Sequence, residues 1–394
     1  MISGERNSRR MENMQLPIKR LLYEKAARNH VPVGGTFELT PRCNFNCKMC
    51  YIRMSEQEMR RYGNEKSAEE WIAMGEACAE QGMLFLLLTG GEIFLRRDFL
   101  KIYEALAKKG LSIQLNTNGL LLNGEMQAAL LETPPAVINV TLYGACDATY
   151  ERLCGIKKGF TMVSENLVRA KEAGLKINLH ASFTPDNVMD MDAMYAFAKE
   201  YDLHIEPASY MFPPVRNHKE GILEENVRFS AEEAGLARAK AVCLGNLPQH
   251  LFMLAERMQA AKKAETQVAP SLETMSKEQR HMACMAGRGS FWITWDGRMT
   301  PCGMMNGPAV HPFESGFADA WQRMTELTKE IYLPQECVRC HKREFCILCA
   351  ALAGAESGGD TEIKPEYLCR MTDIYIDEIL QYVKMKQGGM HDGN

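Results

Sequence analysis

Three cysteines stand close together in Pro41-Arg-Cys43-Asn-Phe-Asn-Cys47-Lys-Met-Cys50-Tyr51. Thiolates spaced C-x3-C-x2-C in one loop can reach three irons of a single [4Fe–4S] cubane and leave the fourth iron open to a small molecule. Four thiolates would instead make a saturated electron carrier. A zinc loop completed by a distant His is the alternative, but zinc knuckles use paired C-x2-C spacing. A second set follows near the C-terminus: Cys284, Cys302, Cys337, Cys340, Cys346, Cys349 and Cys369. Seven thiolates exceed what one cluster needs, which suggests two. Taken alone, the x2 pairs 337/340 and 346/349 are equally zinc-like. The remaining Cys78, Cys146, Cys154 and Cys243 read as small buried hydrophobes.

The whole chain of 394 residues holds 14 Cys, 46% hydrophobic residues and 24% charged ones, with a net charge of −4. These are ordinary globular values, and nothing in the balance suggests a nucleic-acid or membrane-surface protein. No apolar run approaches the ~18 residues of a transmembrane helix, and MISGERNSRRMENMQ lacks the apolar core of a secretory signal. A cytoplasmic location is therefore expected. In that reducing compartment clustered cysteines bind metal more readily than they form disulfides. The 26 Met read as flexible core filler.

Positioning such loops takes a scaffold. Between residue 35 and about 208, short apolar runs alternate with helical patterns: Thr36–Leu39, Leu84–Leu88, Leu111–Leu115, Val137–Leu142, Leu175–Ala181 and Leu203–Ile205. Gly, Asn or Pro bounds each run, as for buried parallel strands. Ser67-Ala-Glu-Glu70 is a capping box, Asp98 precedes Phe99–Lys108, and Gly110 and Gly174 follow helix ends. The expected fold class is α/β with a parallel array, either an open sheet or a partial barrel. The expected divisions are a lead-in helix in 1–34, the α/β array in 35–210, a helical connector in 211–280, a cysteine-rich domain in 281–386 and a polar tail in 387–394. A second capping box stands at Ser230–Glu233, and Trp292, Trp295 and Asp296-Gly297 resemble a hairpin.

The C-x3-C-x2-C loop with Tyr51 behind it resembles the radical S-adenosylmethionine (SAM) superfamily. The resemblance implies a partial (βα)6 barrel and reductive cleavage of SAM to methionine and a 5′-deoxyadenosyl radical that abstracts hydrogen. Cys43, Cys47 and Cys50 would be both catalytic and metal-binding. Further SAM contacts are implied at Gly90, Gly91 and Glu92, the last facing the amino group; at Asn116, Asn118 and Thr141 near the ribose; and at Arg152 on the carboxylate. Where the family has S-x-D-G, this chain has Thr141-Leu-Tyr-Gly144, so no carboxylate role carries over to Tyr143.

The C-terminal cysteines resemble the SPASM extension of these enzymes, with an x2 spacing where x3 is usual. By position, Cys284, Cys302 and Cys349 would hold one auxiliary [4Fe–4S] cluster with an open iron. Cys337, Cys340, Cys346 and Cys369 would hold a saturated second. Three clusters and SAM are thus the implied cofactors, with a flavodoxin- or ferredoxin-type reductant. SPASM proteins act mostly on peptides or proteins, so a peptide-modifying enzyme of the ribosomal-peptide maturase type is expected, forming a thioether, a carbon–carbon crosslink or an epimer. Only about 34 residues precede the first strand, too few for a leader-binding module, so a separate leader-binding protein is one expectation. A small-molecule substrate such as a tetrapyrrole or quinone precursor is the alternative. Sulfatase maturation is disfavoured because Gly303 stands where that subclass has an aspartate base, and a zinc-stabilised scaffold is the non-enzyme reading.

Overall fold

The computed structural model describes residues 17–213, 227–267 and 275–391. The start of the expected lead-in helix, parts of the connector and the end of the tail lie outside them. Eight strands form one sheet: β1 (Gly34–Glu38), β2 (Phe85–Thr89), β3 (Ser112–Thr117), β4 (Val137–Thr141), β5 (Ile177–Ser182), β6 (His204–Ala208), β7 (Ser290–Ile293) and β8 (Met299–Thr300). Their order is β6-β5-β4-β3-β2-β1-β7-β8. The first six are parallel neighbours in chain order, as right-handed βαβ crossovers require.

One side of these strands is apolar. Leu86, Leu88, Leu115, Ile138, Val140 and Leu179 are buried at 0–1% exposure and share one core with Leu106, Leu130 and Leu167 of the covering helices. The opposite face lines the lumen. Helix Ala68–Glu80 begins with the expected capping box: Ser67 accepts from Glu70 N, and the Glu70 carboxylate accepts from Ser67 N. Helix Ala231–Gly245 begins in the same way at Ser230 and Glu233. Asp98 caps nothing; its carboxylate instead accepts from the Arg96 guanidinium.

Two features depart from the sequence reading. β7 and β8 form the expected hairpin, antiparallel with Gly297 at φ +90°, but β7 also pairs in parallel with β1. The cysteine-rich segment therefore extends the barrel sheet. The final helix, Glu366–His391, also runs through most of the segment read as a polar tail, and its inner face packs on helices 231–245 and 248–267. Among the described residues no helix is long and apolar enough to cross a membrane.

Candidate functional site

The first cysteine loop leaves the end of β1 and is held by backbone. Gly91 N donates to Thr40 O at 2.7 Å and Glu92 N to Arg42 O at 2.8 Å. This contact explains the two glycines: a Cβ on Gly90 would lie 2.5 Å from Thr40 O, and one on Gly91 2.3 Å from Arg42 O. Only glycine lets the β2 turn press so closely on the loop. From the other side, Asn46 N and Lys48 N donate to Cys154 O and Leu153 O at the end of helix Asp147–Cys154.

Within the loop, N–H donors face the sulfurs. Phe45 N lies 3.4 Å from Cys43 Sγ, Arg53 N 3.3 Å from Cys50 Sγ, and Asn118 Nδ2 3.6 Å from Cys43 Sγ. Tyr143 and Cys154 lie against the Cys47 thiol, and the Tyr143 ring is tilted against Phe45 with centroids 5.8 Å apart. Burial pushes the Cys43 thiol up to about 12, so iron rather than pH must displace its proton. At this loop two buried donors, Asn44 Nδ2 and Arg53 Nε, have no hydrogen-bond partner among the described residues. Each belongs to a residue adjacent to or bonded with a cluster cysteine, and a buried orphan donor is costly. Thiols, amide donors and an unsatisfied guanidinium together fit an anionic iron–sulfur cluster with an anionic ligand beside it.

The Glu92 carboxylate is fully buried and accepts from Phe94 N at 3.0 Å, from Asn118 N at 2.8 Å and from the Thr117 hydroxyl, which lies 2.9 and 2.8 Å from its two oxygens. These three donors tie the ends of β2 and β3 together. Arg152 is also engaged, donating to Asp186 O and to Thr149 Oγ1 at 2.6 and 3.1 Å. Arg53, which the motif reading passed over, is the cation with a spare donor at the loop. Asn118 also donates to Asn44 Oδ1 at 2.7 Å, so it props the loop. Asn116 accepts from Asn139 Nδ2 at 2.9 Å, and Thr141 lies in register with His180. Tyr51 is half-buried at the end of the loop.

The C-terminal cysteines fall into two neighbourhoods. Cys284, Cys302 and Cys349 influence one another electrostatically. Cys302 Sγ faces Met304 N at 3.5 Å, and Cys349 stands at the N-cap of helix Ala350–Glu356 without a side-chain cap hydrogen bond, near the Ala351 and Leu352 N–H groups. A thiolate there gains from the helix dipole. Cys337, Cys340, Cys346 and Cys369 surround one cavity, with Lys342 and Arg343 beside them. Burial lifts Cys337 to about 12 and Cys349 to about 11. Of the four spare cysteines, Cys78 and Cys154 are buried, Cys243 is half-buried, and Cys146 is exposed. Gly303 has its own reason: a Cβ there would lie 2.7 Å from the Trp292 indole, whose Nε1 donates to Glu38 at 3.0 Å.

A partial parallel barrel with a three-cysteine loop at the end of β1 defines a class of enzyme that works with SAM and a [4Fe–4S] cluster. Residues 37–198, about two fifths of the chain, match the family profile "Radical SAM superfamily". The AdoMet-dependent heme synthase of Methanosarcina barkeri is 24% identical over 355 residues, 87% of this chain and 98% of that protein. The sporulation killing factor maturation protein SkfB of Bacillus subtilis is 25% identical over 159 residues, 40% of this chain and 38% of its own. The crystal structure of Streptococcus suis SuiB bound to S-adenosylmethionine superposes with a TM-score of 0.61 at 14% identity, covering 89% of this chain and 80% of that one. That similarity extends the shared fold into the cysteine-rich region.

Proposed function

We propose that this radical SAM enzyme modifies a peptide. The observation that carries the reading is the chemistry of the barrel lumen. Its inward positions on β3 to β5 hold Ser112, Gln114, Asn116, Val137, Asn139, Thr141, Asn178, His180 and Ser182, all polar but one, while their alternates are buried in the core. Amide and hydroxyl side chains both donate and accept, as peptide groups do. No inward position of β1 to β6 carries Lys or Arg, the side chains that would meet the carboxylates of a tetrapyrrole.

Cys43, Cys47 and Cys50 would hold a [4Fe–4S] cluster, which when bound would supply the electron for reductive cleavage of SAM and so the radical chemistry. The chain's own residues do the rest. Gly90 and Gly91 grip the loop, Glu92 and Asn118 fix it to β3, and Arg53 and Asn44 offer donors to an anionic group. Cys284, Cys302 and Cys349 are proposed ligands of one auxiliary cluster, and the other four C-terminal cysteines of a second, with a separate reductant. Extraction of the cofactors as about twelve iron per chain, with matching sulfide, supports three cubanes.

A second reading is favoured by one observation: the heme synthase from M. barkeri matches over 98% of its own length, whereas SkfB matches over only 38%. The test is anaerobic reconstitution, followed by incubation with SAM, dithionite and either Fe-coproporphyrin III or the short peptides encoded beside the gene. Peptides altered in mass with release of 5′-deoxyadenosine support the proposal. Turnover of the iron porphyrin alone overturns it.

A further inference from the structure

One nearly buried ion pair ties the barrel to the cysteine-rich segment. Arg228 pairs with Glu356, their side chains 14% and 11% exposed. The Arg228 guanidinium also lies over two rings, 5.0 Å from the centroid of Tyr210 and 3.8 Å from that of Tyr367. Tyr210, just past the end of β6, donates its hydroxyl to the same Glu356 oxygen, and Tyr367 donates to Phe229 O at 2.9 Å. A guanidinium held by a carboxylate and two aromatic faces has little freedom left. Removing one partner of so desolvated a pair strands the other charge.

Two of these partners stand on helices that carry cysteines of the second set. Glu356 ends helix Ala350–Glu356, and Cys349 stands at its N-cap. With seven residues the helix is too short to hold its shape alone, and a carboxylate at its C-terminal end opposes the helix dipole. Arg228 offsets that charge. About two turns separate Glu356 from Cys349, so the grip on the carboxylate fixes where the helix begins. Tyr367 and Cys369 share the first turn of helix Glu366–His391. Phe212, whose ring meets Tyr210 with centroids 5.2 Å apart, carries the contact into the apolar cluster that includes Cys302 and Cys349. We infer that Arg228 is a positioning residue that, through Glu356 and Tyr367, sets Cys349 and Cys369 against the end of β6. The inference rests on the auxiliary-cluster part of the proposed function and names what holds those ligands to the barrel.

The test is alkylation of the reconstituted holoenzyme with iodoacetamide, each cysteine followed by peptide mass spectrometry. Cysteines bound to a cluster are protected, and buried Cys78 reports any general loosening of the fold. Arg228→Met should speed labelling of Cys349 and Cys369 by about tenfold and leave Cys43 and Cys78 within about twofold of wild type, because local opening exposes only what the contact held. Glu356→Gln should speed Cys349 and spare Cys369, and it decides the matter by the same rates if Arg228→Met does not fold. Arg228→Lys, which keeps a charge facing Glu356, should hold both cysteines within about threefold of wild type. Unchanged labelling of Cys349 in Arg228→Met and Glu356→Gln overturns the inference, and so does acceleration of Cys43 and Cys78 by the same factor as Cys349. The auxiliary-cluster reading fails separately, if the wild-type holoenzyme protects Cys43, Cys47 and Cys50 but labels Cys349 and Cys369 as fast as the apoprotein does.

Discussion

Replacing Glu92 by Gln tests whether this buried acid meets SAM or holds the scaffold. The side chain keeps its shape, but one of two acceptor oxygens becomes an NH2. Oε1 receives Phe94 N at 3.0 Å and Oε2 receives Asn118 N at 2.8 Å, so whichever way the amide turns, it sets a donor against a backbone N–H. A hydrogen bond to a charged acceptor is worth about 1.5–3 kcal/mol, and a stranded buried donor costs about 1–3 kcal/mol. Since the amide also relieves a buried charge, a net loss of about 2 kcal/mol is expected, a fall of roughly 2–3 °C in Tm for a chain of 394 residues. Urea unfolding of the apoprotein measures it with no cofactor involved. Burial holds the Glu92 carboxyl above the ordinary 4.5. A carboxyl raised in the fold is least costly at pH below that value and more costly as pH rises through its folded value. The wild-type advantage over Glu92→Gln should therefore narrow as pH rises from about 4.5. SAM affinity of the reconstituted variant should change little. If stability moves by less than about 0.5 kcal/mol while SAM binding weakens tenfold, ~1.4 kcal/mol, the carboxylate faces SAM and the reasoning is refuted.

Gly91→Ala should cut iron from about twelve to about eight per chain, one cubane's worth, because its Cβ would lie 2.3 Å from Arg42 O; unchanged iron content would show that the loop can yield. Cys43→Ala should abolish 5′-deoxyadenosine formation, whereas Cys302→Ala should spare SAM cleavage and stop product formation, and chromatography of both products separates these outcomes. Gly303→Ala should cost about 1–3 kcal/mol through overpacking against the Trp292 ring, 2.7 Å away, read as a lower urea midpoint. Arg53→Lys should weaken SAM binding severalfold, since one ammonium cannot replace the forked donor set; unaltered affinity would assign the SAM carboxylate to another cation.

Strand positions were legible because each apolar run is flanked by a turn residue, and β2, β3 and β4 begin within one residue of the expected runs. Ser67–Glu70 and Ser230–Glu233 declared their helix starts locally. The pairing of Ser290–Ile293 with β1 was not legible, because a parallel pair between segments about 250 residues apart leaves no local pattern. The motif Gly90-Gly91-Glu92 was visible, but its partners were not: spacing cannot reveal that Thr117 and Asn118 donate to the carboxylate. Tyr143 was noticed only for the acid it replaces, and its contact with Cys47 emerges once helix 147–154 folds back on the loop.

The pairing of β7 with β1 makes the first strand an interior one. Gly34, Gly35, Thr36 and Phe37 have Ser290, Phe291, Trp292 and Ile293 on one flank and β2 on the other. A chain cut before residue 290 would bare that flank as a flat, uncharged ribbon, a template for association between molecules. The barrel and the cysteine-rich segment of this enzyme thus share one continuous sheet.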